Sequence, residues 1–276
     1  MTDRSRPLLD AWAGLVYVFL FLPIVAVVGY SFNTGRALEV WDGAGTGAYS
    51  AIVDDDAVQA AIRTSMVAAL GSASIATVLG LFAGVALARH PGRWRVAFVA
   101  LLAAVLVTPE IVTAIALLIW DVRIGASVPL LADGMVRLWV GHSLFSTAVV
   151  TLIVRARMAG IDGSLEEAAA DLYAPPARRF REITVPLVLP AVVAGLLLSF
   201  SLSLDDTIIS AFVNVAGSTP WPVYVFSAVR SVLRPEIAAV STVMLLVTLL
   251  AVGAVGWVLK SGGASGGDVA RTMAGG

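Results

Sequence analysis

Residues 162–190, DGSLEEAAADLYAPPARRFREITVPLVLP, are a long polar insert between strongly apolar segments of this chain. Ser164 stands three residues before Glu167, the spacing of a capping box, so a helix is expected to open there. Leu165, Ala168, Ala169 and Leu172 then fall at i, i+3, i+4 and i+7, on one helical face. Pro175 and Pro176 stop that helix, since proline lacks the N–H that would continue it. Pro176 suits the first position of a second helix, which carries Arg178, Arg179, Phe180 and Arg181. Pro186 and Pro190 lead into a long apolar run. Two short amphipathic helices joined by a bend, with membrane-length segments on either side, predict a docking knuckle for another protein.

Working outward, composition removes the soluble classes. The chain has 276 residues, 59% of them hydrophobic and 13% charged, with a mean hydropathy of +0.91. Those values describe a polytopic membrane protein. The net charge of −1 is uninformative by itself, so the distribution of charge carries the argument. Cysteine is absent, which excludes disulfides, thiolate metal sites and cysteine nucleophiles. The only lysine is Lys260, with no glycine-rich phosphate loop before it, so any ATP hydrolysis belongs to another chain. No catalytic residues and no metal site are expected. His90 and His142 are read as loop or helix-end residues.

Residues 12–32 are long enough to span a hydrocarbon core of about 30 Å, and they read as a retained signal anchor preceded by Arg4 and Arg6. A polar excursion over 33–60 holds Glu39, Trp41, Asp42 and the run Asp54-Asp55-Asp56. A second span covers about 61–88, where Ala76, Gly80, Gly84 and Ala88 recur every fourth residue, a row that lets another backbone come close. A basic turn at 89–95 follows. The third span, about 96–120, contains Pro109-Glu110, and a short loop with Asp121, Arg123, Pro129 and Asp133 leads to the fourth, about 136–155. The fifth, about 187–212, carries Asp205 and Asp206. A second polar excursion over 213–236 holds Trp221, Pro222 and Tyr224, and the sixth span covers about 237–259. No internal repeat is evident.

Six spans place both termini on one side. The arginines at 4 and 6, at 89, 93 and 95, and at 155, 157, 178, 179 and 181 share that side with Lys260 and Arg271. The positive-inside rule therefore puts the termini and the docking loop in the cytoplasm, with Arg230 and Arg234 outvoted on the other side. The expected organisation is one transmembrane domain over 1–260, with its cytoplasmic loop at about 160–186, and a flexible tail over 261–276.

Glu110, Asp205 and Asp206 are the anomalies. A carboxylate near the middle of a span costs at least ~2.5 kcal/mol on insertion scales, so it should face protein or a watery cavity. Ser199, Ser203, Asp206 and Ser210 form a narrow polar stripe, and Asp205 lies about 100° round the helix from Asp206. Thr108, Glu110 and Thr113 give a weaker patch beside Pro109, which is expected to loosen the backbone. Lining a path for a cation, pairing with arginines or capping a broken helix, and relaying protons all remain open for these acids.

The order Glu167-Ala168-Ala169, then Ile183 and Pro186, resembles the EAA loop of the membrane subunits of ABC importers. Leu198-Ser-Phe-Ser-Leu-Ser-Leu-Asp205-Asp206, Pro222-Val-Tyr-Val-Phe-Ser-Ala-Val-Arg230, Arg234-Pro-Glu-Ile-Ala-Ala239, Thr108-Pro-Glu-Ile-Val112 and Ser31-Phe-Asn-Thr34 resemble the second permease of spermidine/putrescine importers. Two departures stand out: the family's glycine falls at Tyr173 and its leucine before the proline at Val185. Because glycine there supplies a left-handed conformation, the bend is expected to be built differently.

The resemblance implies an all-α type I ABC importer permease fold of six transmembrane helices, in the bacterial cytoplasmic membrane, working by alternating access. It implies a second homologous permease, two copies of a cytoplasmic ABC ATPase holding ATP and Mg, and an extracytoplasmic substrate-binding protein. This chain itself would bind no cofactor and no nucleic acid. Glu166, Glu167, Ala168, Ala169, Tyr173, Arg178 and Phe180 would couple to the ATPase. Glu110, Asp205 and Asp206 would line the polyamine path, the acids meeting separate ammonium groups. Trp41, Trp221 and Tyr224 could add cation–π contacts of ~0.5–2 kcal/mol each at its entrance. Related permeases carry ferric iron, thiamine or aminophosphonates, so those solutes stay open, as does a proton-coupled carrier.

Overall fold

A computed structural model describes residues 6–38, 40–90, 92–125, 127–230 and 233–261. The expectations for Arg4, Glu39, Arg271 and the tail beyond 261 therefore lie outside the described residues. Among these residues the regular elements are helices, apart from one isolated antiparallel bridge between Asn33 and Ala44. The chain divides into two compact units, 1–59 with 225–247 and 60–224 with 248–276.

The first unit begins with α1 (Arg6–Tyr30), whose apolar run from Leu9 is exposed on almost every residue in the single chain. An apolar surface of this length is matched by lipid tails or by another apolar helix. The excursion after α1 is folded around buried Asn33. Its Nδ2 donates to the Val40 carbonyl at 2.7 Å, and its Oδ1 accepts from the Gly35 and Asp42 N–H groups, each at 3.1 Å. Then come α2 (Gly47–Asp54), the start of α3 (Asp56–Arg89), the end of α11 (Trp221–Ala228) and the first half of α12 (Pro235–Ser261).

Arg234, one of the two arginines that fall on the wrong side by the charge rule, reaches Asp55 Oδ2 with its guanidinium at 3.0 Å. The Val58 N–H and that guanidinium hold the Asp55 carboxyl below the usual carboxylate range. Arg230 lies over the Phe226 ring, 5.6 Å from its centroid.

The second unit holds most of α3, then α4 (Trp94–Val107), α5 (Glu110–Gly125), α6 (Gly134–Ala159), α7 (Ser164–Asp171), α8 (Pro176–Arg179), α9 (Val185–Asp205) and α10 (Ile208–Val213). Its core joins Ala68, Ala114, Leu117, Leu138, Ile209 and Val213, and separately Ala76, Val85, Val150, Val154, Met158 and Val188. The small-residue row behaves as expected. A Cβ at Gly80 would lie 2.6 Å from Val150 Cβ, and one at Gly84 would lie 2.7 Å from Val154 Cβ, so α3 and α6 meet backbone to side chain without a spacer.

Three elements differ from the expectation. The third span is not one loosened helix but two, α4 and α5, bent by 104°. Pro109 has no N–H to donate and pushes the residue before it out of the α region. Thr108 accordingly sits at φ −62°, ψ 128°, and its Oγ1 donates to the Ala104 carbonyl. Asp121 belongs to α5 rather than to a loop, and its side chain is buried at 1% exposure. The fifth span stops at Asp205 instead of running to 212. It starts early, because α8, a π-helical turn over Phe180–Thr184 and α9 make one continuous helix from Pro176 to Asp205.

Candidate functional site

Two helix breaks bring together the acids that the sequence singles out. At the first, Glu110 opens α5 immediately after Pro109, where a carboxylate is favoured by the helix dipole. At the second, Asp206 leaves the helical conformation (φ −67°, ψ 96°), and its Oδ1 accepts from the Ile209 N–H at 3.0 Å, capping the short α10. The carboxyl groups of Glu110 and Asp206 stand within hydrogen-bonding reach of one another, so they form one site instead of two separate ones. Asp205, the last residue of α9, is exposed.

Behind the two acids lies a residue that sequence reasoning misplaced. His142 is neither in a loop nor at a helix end; it is buried in the middle of α6 at 3% exposure. Its Nδ1 meets Ser203 Oγ at 2.6 Å and its Nε2 meets Ser210 Oγ at 2.9 Å, with Asp206 Oδ2 at 3.8 Å from the same nitrogen. Ser72 of α3 extends the chain by donating to Ser203 Oγ at 3.0 Å. Two serines of the expected stripe, Ser203 and Ser210, are therefore what the imidazole holds, bridging the break between α9 and α10. A histidine in an apolar helix was itself the signal, because an ionisable group there needs partners.

Trp221 is buried at the start of α11 and stacks on Tyr224 with centroids 5.4 Å apart, while its backbone N–H donates to Ser65 Oγ at 2.7 Å. Trp41, in the other unit, is half-exposed and packs edge-on to Tyr30.

The polar insert forms α7, α8 and the π turn, without the expected capping box. Ser164 is the first residue of α7, Gly163 precedes it, and Asp162 Oδ1 accepts the Ser164 N–H at 3.0 Å. Glu166 turns inward. It pairs with Arg89 at 3.3 Å and accepts from Thr184 Oγ1 at 2.9 Å, so α7 is tied both to the end of α3 and to the π turn. Phe180 stacks on Phe82 with centroids 5.6 Å apart. Glu167, Ala168 and Arg178 are exposed, Arg178 pairing with Glu182 at 2.9 Å, and Ala169 is half-buried.

The bend corrects another expectation, because it keeps the left-handed cap despite its tyrosine. The Tyr173 N–H donates to the Ala170 carbonyl and the Ala174 N–H to the Ala169 carbonyl, the pair of bonds that makes a Schellman motif. Tyr173 occupies its left-handed position at φ 60°, which costs a side chain about 1 kcal/mol or more relative to glycine.

Residues 76–260 match the family described as binding-protein-dependent transport system inner membrane component. The chain is 40% identical over 247 residues to the putrescine transport system permease protein PotI of Escherichia coli (strain K12), covering 88% of this chain and 86% of that one. It is 36% identical over 241 residues to the spermidine/putrescine transport system permease protein PotC of Haemophilus influenzae, covering 87% and 91%. Among solved structures, it superposes with a TM-score of 0.70 on a chain of a bacterial ABC transporter involved in the import of alginate, covering 91% and 96% at 12% identity. At that identity the likeness speaks for the fold.

Proposed function

Because the chain belongs to the family of binding-protein-dependent transport system inner membrane components, we propose that it forms half of the translocation path of an ATP-driven polyamine importer. The observation that carries the substrate class is the meeting of Glu110 and Asp206 at two helix breaks. An ammonium group leaving water needs counter-charge, since desolvation in a low-dielectric passage is otherwise too costly. Two adjoining carboxylates at broken helix ends suit one such group at a time. A polyamine would then cross by handing successive ammonium groups to a single station, which keeps its affinity modest and its release possible.

In this reading a second homologous permease completes the path, an extracytoplasmic binding protein delivers the substrate, and two cytoplasmic ATPase subunits hold ATP and Mg. Both termini and the 160–186 loop lie in the cytoplasm. Coupling follows from one continuous element. The 30 residues from Pro176 to Asp205 form a rod of about 45 Å, rooted in the docking loop and ending at the acid site. A displacement of α7 passes through the Glu166 contacts with Arg89 and Thr184 into the base of that rod, which shifts Asp206 against Glu110.

Asp206→Asn and Glu110→Gln keep size and hydrogen bonding while removing charge. In assembled complexes each should lower polyamine uptake by roughly tenfold or more, the loss that corresponds to about 1.4 kcal/mol of barrier. Assembly should be unchanged. Parental uptake by both variants would sink the cation assignment. A second reading has its own observation, the hydrogen bond from the Ile209 N–H to Asp206, by which the acid is a helix cap and the solute is something other than a polyamine. It predicts parental solute uptake in Asp206→Asn, whose amide oxygen still accepts the Ile209 N–H, and a lowered melting temperature only in Asp206→Ala, which removes the cap.

A further inference from the structure

Tyr173 has no structural reason, within this chain, to be a tyrosine. It is the one non-glycine residue with positive φ among those described. The Schellman bonds at Ala169 and Ala170 use its backbone alone, so glycine would make the same bend without the steric penalty of a Cβ. Its ring earns nothing back locally, for the residue is 95% exposed. Strain held at a fully exposed position is accounted for by something outside the chain.

The surroundings say what that is. Leu172, beside it, is 82% exposed, and Leu165, in the first turn of α7, is 47% exposed, so the short helix carries uncovered apolar side chains at both ends. The platform beneath them is fixed from the inside by the Glu166 pair with Arg89, the Thr184 bond and the Phe82–Phe180 stack. A left-handed residue aims its side chain away from the path of the helix, so the ring projects from a rigid base and little order is lost when it is buried. Glu167 and Asp171 are exposed on the same short helix. Those carboxylates disfavour an anionic lipid surface and favour an apolar socket with a basic rim on a protein.

We infer that Tyr173, with Leu172 beside it, is the peg by which this permease selects its own ATPase subunit, whose surface offers an apolar socket rimmed by basic residues. The inference rests on the reading of residues 160–186 as the ATPase-docking loop. It goes further by naming the anchor and by assigning the backbone strain to recognition. An ATPase whose socket has evolved against a glycine at this position would lack room for the ring, so the peg also excludes the wrong partner.

The test uses the assembled transporter in nanodiscs, with the ATPase subunit titrated back onto the permease pair. Tyr173→Gly should raise the melting temperature of the permease pair by itself, yet weaken ATPase binding roughly tenfold or more, the loss usual for an aromatic anchor. Tyr173→Phe should retain parental binding. Parental ATPase binding and stimulation in Tyr173→Gly would overturn the inference, as would a drop in both properties together, which marks a merely structural residue. A Tyr173→Trp variant in an otherwise active complex should shift its emission on adding the ATPase. A shift with vesicles containing anionic phosphatidylglycerol, and none with the ATPase, would assign the ring to the membrane surface and also overturn it. The loop reading is checked separately by cross-linking from Ala177→Cys to the ATPase. If the cross-link forms while Tyr173→Gly binds normally, the loop docks and only the peg is lost. If no cross-link forms, the docking reading falls first.

Discussion

His142 sits where an apolar helix would ordinarily place leucine, and it holds its place by two short hydrogen bonds. In a neutral imidazole one ring nitrogen donates and the other accepts, so Ser203 and Ser210 are both satisfied by one ring. His142→Ala would leave two buried hydroxyls without that partner and open a cavity between α6, α9 and α10. The expected cost is about 2–4 kcal/mol, read as a lowered melting temperature of the solubilised transporter. An unchanged melting temperature would mean the serines find other partners. Asp206 depends on the same ring less directly, since its Oδ2 is 3.8 Å from Nε2 while its Oδ1 already accepts from the Ile209 N–H.

At the scale of elements, close approach decides how α3 and α6 pack. A methyl group at Gly84 would come within 2.7 Å of Val154 Cβ and 2.9 Å of the Thr151 carbonyl oxygen. Neither can retreat cheaply, because Val154 and Thr151 are fully buried on α6. Gly84→Ala should therefore cost about 1–3 kcal/mol by overpacking. Gly253→Ala on α12 is the control, since nothing lies within 4 Å of the place its new methyl group would take. The comparison is read as folded yield and melting temperature of the two variants, and equal behaviour would contradict the close packing. The helix breaks follow a different logic. Proline removes a backbone donor wherever it stands, so the break at Pro109 was visible in the sequence as a weak point. Its size was not, because 104° depends on what the freed ends can pack against.

For the molecule as a whole, the bent pair sets the topology. Among the described residues five helices are long and apolar enough to cross a membrane, and α4 with α5 makes a sixth crossing only if the pair passes from one face to the other. Between Ala44 and Ala177 lie α3, the bent pair and α6. If the pair crosses, these two positions are on opposite sides; if it re-enters, they are on the same side. In this cysteine-free chain, Ala44→Cys should react with an impermeant thiol reagent added outside, and Ala177→Cys only after the membrane is opened. Labelling of both from one side would make the pair re-entrant and reverse the placing of one terminus. The charge asymmetry supports the crossing, and Arg234, one of the two arginines that counted against it, is paired with Asp55.

The sequence by itself determined the membrane class, most of the apolar spans, the small-residue row and the polar insert. All of these depend on side-chain hydropathy, helical period and proline, which act over a few neighbouring residues. It also marked the acids as anomalies, since a carboxylate in an apolar span is costly wherever the helix goes. Tertiary structure alone decided which polar groups meet. His142 finds serines 61 and 68 residues away, Arg89 finds Glu166 across 77, and Glu110 meets Asp206 from another helix. Such meetings depend on where separate helices break and how closely they pack, and no local rule specifies that. The same packing turned Glu166 and Phe180 inward and left Tyr173 exposed.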